Sequence, residues 1–151
     1  MHLFISYKRG ASPDEPLALQ LYEQLRTRHT VFIDQAMAVG TPWAERIDQE
    51  LRQSDVLVLL LSAEAVGSEM VLAEVETAQR LQKFLGKPRI LPVRVAYAEI
   101  LPYPLSAYLN PLQWALWDSP ADTQPLLADL ERAMAGEPLP APTPASTPPA
   151  G

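Results

Sequence analysis

Residues 55–62 read DVLVLLLS, and the six residues between the polar ends of this stretch are all valine or leucine. An apolar run of this length without alternation is typical of a central parallel β-strand that is covered on both faces. Parallel strands need crossover connections, which are usually helices. The stretch therefore predicts a layered α/β fold, with further strands and helices before and after it in the chain.

Strand-like and helix-like segments alternate on both sides of this run. Strands are predicted at 3–7, 30–34, 55–62, 89–95 and 113–117, and helices at 16–28, 42–54, 68–85 and 122–134. Residues 96–112 contain three prolines and are predicted to be irregular, while Pro92 inside the fourth strand favours an edge position or a bulge. The alternation predicts an open α/β sheet of about five mainly parallel strands, with helices on both faces.

The composition changes sharply after residue 135. Residues 136–151 include six prolines and almost no residue able to build a core. Such a stretch favours extended polyproline II, which acts as a semi-rigid spacer. We therefore expect one folded domain at 1–135 and a linker at 136–151 that leads to a further domain. A disordered C-terminus is the alternative.

Charge and residue usage limit the classes of function. The net charge is −6 and the lysines and arginines are scattered, which argues against a nucleic-acid partner. The chain has no cysteine, so disulfides and thiolate chemistry are excluded, and its two histidines lie far apart, so no metal site is predicted. No apolar run approaches the roughly 20 residues of a membrane span, and no signal peptide is recognisable. We expect a soluble, cytoplasmic domain.

Open parallel sheets bind ligands beyond the carboxyl ends of their strands, here the loops at 8–16, 35–42 and 63–68. Neither a GxGxxG nor a GxxxxGK[ST] phosphate loop is present. A phosphorylated receiver domain would have acidic residues after the first and third strands, which instead end in Ser6-Tyr7 and Ser62. Ser62 also lacks the GxSxG turn of an α/β-hydrolase.

One carboxylate in the third predicted helix stands on an apolar face. At 100° per residue, an arc of about 120° contains Val71, Val75, Ala78, Leu81 and Leu85. Glu74 falls inside this arc, whereas Glu69 and Glu76 fall on the opposite side. A partly buried glutamate near the ligand-binding edge is a candidate catalytic acid. The alternative is that Glu74 pairs with an arginine or a backbone amide for structural reasons.

Three segments resemble motifs of the TIR (Toll/interleukin-1 receptor) domain family, bacterial type. Phe4-Ile5-Ser6-Tyr7 resembles the first motif, and 31–34 (VFID) followed by 40–43 (GTPW) resembles the second strand and the BB loop. Residues 68–74 (SEMVLAE) resemble the S-x-W-x-x-x-E segment that contains the catalytic glutamate of enzymatic members. In this order and spacing the motifs cover about residues 1–135.

The resemblance implies a flavodoxin-like sheet and hydrolysis of NAD⁺ to nicotinamide and ADP-ribose or a cyclic form. It places Glu74 at the position of the catalytic glutamate, where a carboxylate stabilises positive charge on the ribose as nicotinamide leaves. NAD⁺ is then the substrate, and no cofactor is implied. Bacterial members are often effectors in anti-phage defence that are activated by self-assembly, so other TIR domains are the expected partners. The substrate-binding residues implied by the motifs are Phe4, Ser6, Tyr7, Lys8, Arg9, Asp34, Gly40, Trp43, Ser68 and Met70.

Two departures from the family pattern leave other functions open. Met70 stands where enzymatic relatives have tryptophan, so a flat stacking surface is missing unless Trp43 supplies one. The acidic residue usual after the first motif is displaced to Asp14 or Glu15. A TIR domain that only binds other TIR domains is therefore the alternative. A nucleoside-transferring enzyme with Glu74 as nucleophile is a third interpretation, although it explains the BB-loop motif less well.

Overall fold

The computed structural model describes residues 1–33 and 43–136. The helices and strands run in the order β1 (His2–Ser6), α1 (Asp14–Leu25), β2 (Thr30–Ile33), α2 (Trp43–Gln53), β3 (Val56–Leu61), α3 (Glu69–Leu85), β4 (Arg89–Val95), α4 (Leu105–Leu109), β5 (Ala115–Trp117) and α5 (Thr123–Met134). The strands form a single sheet in the order β2-β1-β3-β4-β5. Every neighbouring pair is parallel. The predicted α/β fold class is confirmed.

The apolar run that predicted the fold forms the centre of the sheet. All six residues of β3 are buried, and the strand pairs with β1 on one side and β4 on the other. Burying a valine or leucine side chain contributes about 1.5–3 kcal/mol. Because both faces of β3 are covered, each of its side chains makes this contribution to one of two core layers.

Helices cover both faces of the sheet, as predicted. On one face, α1 and α5 pack through leucines such as Leu17 and Leu130. On the other face, α2, α3 and α4 pack through residues such as Ile47, Val75 and Leu105. The side chains of β3 alternate between these two clusters, which is the period expected of a strand.

The third predicted helix begins and ends close to where the sequence places it. The Ser68 side chain accepts a hydrogen bond from the Val71 amide at the start of α3, and Gly86 ends the helix with φ +77°. This left-handed conformation is accessible to glycine without steric cost. The predicted buried arc is confirmed for four of its apolar residues, but Leu85 is 47% exposed. Leu85 is the last helical residue, next to the Gly86 turn, where the helix no longer packs on the sheet.

Two expectations for the second half of the chain are corrected. Pro92 does not make β4 an edge strand or introduce a bulge, because β4 lies between β3 and β5 and its register with β3 is continuous. Pairing with β5 begins only at Val93, so among the described residues Pro92 has a strand neighbour on one side alone. The region 96–112 is not wholly irregular, since Leu105 and Leu109 are buried on the short helix α4.

Candidate functional site

The order of the strands identifies one edge of the sheet as the place for a ligand. β1 and β3 are neighbours, and the chain leaves β1 towards β2 on one side and β3 towards β4 on the other. The helices that follow β1 and β3 lie on opposite faces. Open α/β sheets bind ligands in the crevice at such a switch point, beyond the carboxyl ends of the strands.

A buried serine–glutamate pair lies at this switch point. Ser6 is the last residue of β1, and its Oγ donates a hydrogen bond to Oε1 of Glu74 over 2.8 Å. The two residues are 1% and 2% exposed. Glu74 belongs to α3, about one and a half turns from the start of the helix, so the hydrogen bond joins β1 to the helix that follows β3.

An open cleft of about 460 Å³ lies beside this pair. One wall is the segment directly after β1, and the other is the start of α3. The described lining residues are Tyr7, Lys8, Arg9, Gly10, Ser68 and Met70. The volume falls in the range of small-molecule and cofactor sites. Five of the ten substrate-binding residues expected from the motifs therefore meet at one cleft.

The cleft is suited to an anion. Lys8 and Arg9 are half-buried and line one wall. The opposite wall is the amino end of the 17-residue helix α3, and this end of a helix bears partial positive charge. Phosphate groups bind at helix N-termini and beside basic side chains for these reasons.

Glu74 itself is not among the described residues that line the cleft. Met70 and Glu74 are four residues apart on α3, which places them one above the other on the same helical face. Met70 is half-buried and faces the cleft, whereas Glu74 is buried behind it. The carboxylate is thus adjacent to the cleft and covered.

The other residues expected from the motifs fall in two groups. Phe4 is fully buried in the core, where its ring centroid lies 5.0 Å from that of Phe32, and it is not part of the cleft lining. Asp34 and Gly40 lie outside the described residues, as does the side chain of Trp43, whose backbone begins α2. The substrate-binding roles expected for Asp34, Gly40 and Trp43 therefore stay predictions.

A second buried pair at the same edge was not predicted. The hydroxyl of Ser62, directly after β3, donates to Oδ2 of Asp14 at the start of α1. Asp14 is 1% exposed. Burial raises the pKa of the Asp14 carboxyl, and the hydrogen bond from Ser62 partly opposes this shift. The sequence signal was an acidic residue at a helix start after β1, which periodicity cannot connect with a serine 48 residues later.

A buried arginine organises the loop after β4. Arg94 is 3% exposed, and its guanidinium lies 5.7 Å from the ring centroid of Tyr97 and 5.0 Å from that of Trp114. One of its nitrogens donates to the Glu99 carbonyl over 2.7 Å. Burial lowers the pKa of Arg94. The stacking and the hydrogen bond hold the loop in place at the same edge of the sheet as the cleft.

Within residues 1–33 and 43–136, no three histidine or acidic side chains are grouped as metal ligands. Over the same residues, no helix combines the length and the apolar character needed to traverse a bilayer.

Comparison with known proteins relates most of the chain to one family. The family model described as TIR domain matches residues 3–130. No curated protein matches the sequence.

Two solved structures share the fold. One is described as the activated Roq1 resistosome directly recognizing the pathogen effector XopQ, in its TIR domains, with a TM-score of 0.54 and 16% identity over 62% of this chain. The match spans 57% of that chain, little more than half of its length. The other is an NADH:FMN oxidoreductase, EMOB, in its apo form, with a TM-score of 0.58, 13% identity, and coverage of 96% of this chain and 92% of that one. At these identities the likeness shows the fold, which is flavodoxin-like as predicted.

Proposed function

Because the chain belongs to the TIR domain family, we propose that it is an NAD⁺ hydrolase in which Glu74 is the catalytic carboxylate. The observation that supports this most directly is the buried hydrogen bond between Ser6 and Glu74, beside a cleft lined by Lys8 and Arg9. The TIR family includes NAD⁺-cleaving enzymes. NAD⁺ is the substrate in this proposal, and the residues of the chain provide all of the catalytic groups.

The cleft has the charges needed to hold the pyrophosphate of NAD⁺. Lys8 and Arg9 supply cationic donors on one wall, and the amino end of α3 supplies partial positive charge on the other. With the pyrophosphate held there, the nicotinamide ribose extends towards Ser6 and Glu74. Met70 contacts a ring of the substrate through its sulfur and methyl group.

The chemistry needs one carboxylate and no acid. The bond between C1′ of the ribose and the pyridinium nitrogen breaks, and both bonding electrons leave with nicotinamide, which becomes neutral. Positive charge develops on C1′ and the ring oxygen, where the Glu74 carboxylate stabilises it. A water oxygen then bonds to C1′ and releases one proton, which gives ADP-ribose. If a nitrogen of the adenine attacks C1′ instead, the product is cyclic.

Self-association is part of the proposed function. Glu74 is 2% exposed and lies behind the described lining of the cleft, so the single chain holds its carboxylate away from substrate. Contact with another TIR domain moves the segments beside Ser6 and exposes Glu74. We therefore propose a defence effector of bacterial type that is inactive when dispersed and cleaves NAD⁺ when assembled, in the cytoplasm.

A TIR domain that only binds other TIR domains is the second candidate. The burial of Glu74 and the presence of Met70 in place of the family tryptophan favour it. Both candidates predict self-association, so oligomeric state does not separate them. Turnover of NAD⁺ separates the two candidates, because only the hydrolase releases nicotinamide.

The test is NAD⁺ consumption by the protein at high concentration or fused to a clustering scaffold, with Glu74→Gln as the active-site variant. Glu76→Gln is the matched control, because Glu76 lies two residues further along α3 and is exposed. We expect release of nicotinamide by the wild type and the control, with a loss of at least about 100-fold in Glu74→Gln. No release by the clustered wild type would support the binding-only candidate. Equal release by all three proteins would show that Glu74 is not catalytic. A covalent ribosyl–Glu74 adduct in mass spectra would identify Glu74 as a nucleophile.

A further inference from the structure

The second buried pair, Ser62 and Asp14, has no role in the chemistry described above. Asp14 is the first residue of α1 and Ser62 directly follows β3. The Ser62 hydroxyl donates to Asp14 and also accepts a hydrogen bond from the Ala65 amide over 3.1 Å. Asp14 and Ser62 are 1% and 6% exposed. The pair is therefore a buried contact between the start of α1 and the segment after β3 at the ligand-binding edge.

The two serine–carboxylate pairs cross between the strands. Ser6 at the end of β1 binds the helix that follows β3, whereas Ser62 at the end of β3 binds the helix that follows β1. The two helices lie on opposite faces of the sheet, so each pair connects the end of a strand with a helix on a different face.

Each wall of the cleft is part of a segment that begins at the serine of one pair and ends at the carboxylate residue of the other pair. The wall formed by residues 7–10 runs from Ser6 to Asp14. The wall that contains residues 68 and 70 runs from Ser62 to Glu74. Both walls are thus fixed at their two ends, once through Ser6–Glu74 and once through Ser62–Asp14. A change at either pair is therefore expected to alter the separation of the walls.

The chemistry of Asp14 argues against a role in stability alone. Its Oδ1 atom is buried and has no hydrogen-bond partner among the described residues. A buried carboxylate with an unsatisfied oxygen costs free energy that an apolar side chain of similar size would not. The residue therefore weakens the core slightly while it fixes the geometry of the two loops.

We propose that Asp14 and Ser62 are positioning residues that set the width of the cleft and thereby its affinity for the ADP-ribose part of NAD⁺. This inference rests on the proposed function. Neither residue touches the substrate. Their effect is transmitted through the segment of Lys8 and Arg9, whose separation from the start of α3 they set.

The test uses Asp14→Ala, Asp14→Asn and Ser62→Ala, with Thr123→Ala as the matched control. Thr123 accepts a buried hydrogen bond of 2.9 Å from Trp117 on β5, away from the cleft. Three quantities are measured: the Kd for ADP-ribose by calorimetry, KM and kcat for NAD⁺ in the clustered protein, and hydrogen exchange of the amides of residues 8–10.

We expect Asp14→Ala and Ser62→Ala to raise Kd and KM about tenfold, a change of about 1.4 kcal/mol, with kcat altered less than about threefold. Exchange of the amides at 8–10 should quicken in the same two variants. Asp14→Asn keeps an oxygen that accepts from Ser62 and should restore most of the affinity. Thr123→Ala should lower the melting temperature and leave Kd, KM and the exchange at 8–10 unchanged.

Three results would overturn the positioning proposal, and each is distinguishable from failure of the proposed function. Unchanged Kd and unchanged exchange in a folded Asp14→Ala, beside normal turnover by the wild type, would overturn the positioning role alone. Similar losses of affinity in Thr123→Ala would show a general loss of stability instead, and would also overturn it. If the wild type binds ADP-ribose but releases no nicotinamide, the catalytic proposal fails, and the binding and exchange data still decide the role of Asp14. Absence of ADP-ribose binding by the wild type would also overturn the positioning role, because there would be no affinity for Asp14 and Ser62 to set, whereas nicotinamide release decides the catalytic proposal separately.

Discussion

Replacing Ser6 with alanine removes the hydroxyl that donates to Glu74 over 2.8 Å, and the consequence for stability follows from the burial of both residues. A hydrogen bond to a charged group contributes about 1.5–3 kcal/mol, and a buried carboxylate that loses a donor bears a desolvation cost of this size. For a domain of this length the loss corresponds to a fall in melting temperature of about 6–12 °C. We expect Ser6→Ala to show a fall in this range.

A double-mutant cycle isolates the pair from the other contacts of each residue. Unfolding by urea is measured for Ser6→Ala, Glu74→Ala and the double variant, and the coupling free energy is expected to exceed about 1 kcal/mol. Ser54→Ala is the matched control, because the buried Ser54 hydroxyl donates to the Glu50 carbonyl at the opposite edge of the sheet. Its cycle with Glu74→Ala should be additive within about 0.5 kcal/mol. Additive behaviour of Ser6→Ala as well would refute the reasoning.

Three further predictions concern the cleft and its surroundings. Lys8→Ala is expected to raise the KM for NAD⁺ about tenfold with little change in kcat. The rise in KM should be smaller at high salt because the lost contact is electrostatic. A lower kcat at constant KM would contradict this role. Met70→Trp adds a flat aromatic surface and is expected to lower the KM in the same assay, whereas an unchanged KM would show that this position does not contact a ring of the substrate. Asp14→Asn tests the pKa of Asp14, which burial raises above its ordinary value of 3.8 and which Glu64 raises further. The contribution of Asp14 to stability is then full below about pH 3.8 and is lost as the pH rises through the raised pKa. In urea unfolding between about pH 4 and pH 8, the free energy of unfolding of the wild type should therefore fall relative to that of Asp14→Asn as the pH increases. If the difference in free energy between the two proteins does not depend on pH, the raised pKa of Asp14 is contradicted.

The fold could be predicted because its signals are local and periodic. The apolar run of β3 and the helical stripe of α3 indicate burial directly, and the stripe placed Glu74 on the apolar face, although the residue is more fully buried than expected. The prediction from the stripe was wrong for Leu85, which is exposed where the helix ends beyond the sheet. Periodicity describes a continuous helix and cannot show how far its packing partner extends.

Contacts between residues that are distant in the sequence could not be predicted from local patterns. Ser62 was considered only as a nucleophile or as a replaced phosphorylation site, and Asp14 only as a displaced family residue. Their contact depends on the crossing of two loops from neighbouring strands, which no spacing in the sequence encodes. In the same way, Glu74 was expected near the ligand crevice, but that it lies behind the described lining required coordinates.

The partial pairing of β4 bears on how this protein behaves when it is concentrated. Within the described part of the chain, residues 89–92 of β4 pair with no strand on the side of β5. Unpaired strand edges are the surfaces on which sheets grow from one molecule into the next, which is a route to aggregation. Pro92 contributes no N–H to such a ladder, and the exposed Arg89 repels its counterpart in a second copy. This edge therefore resists intermolecular strand addition when the domain is concentrated.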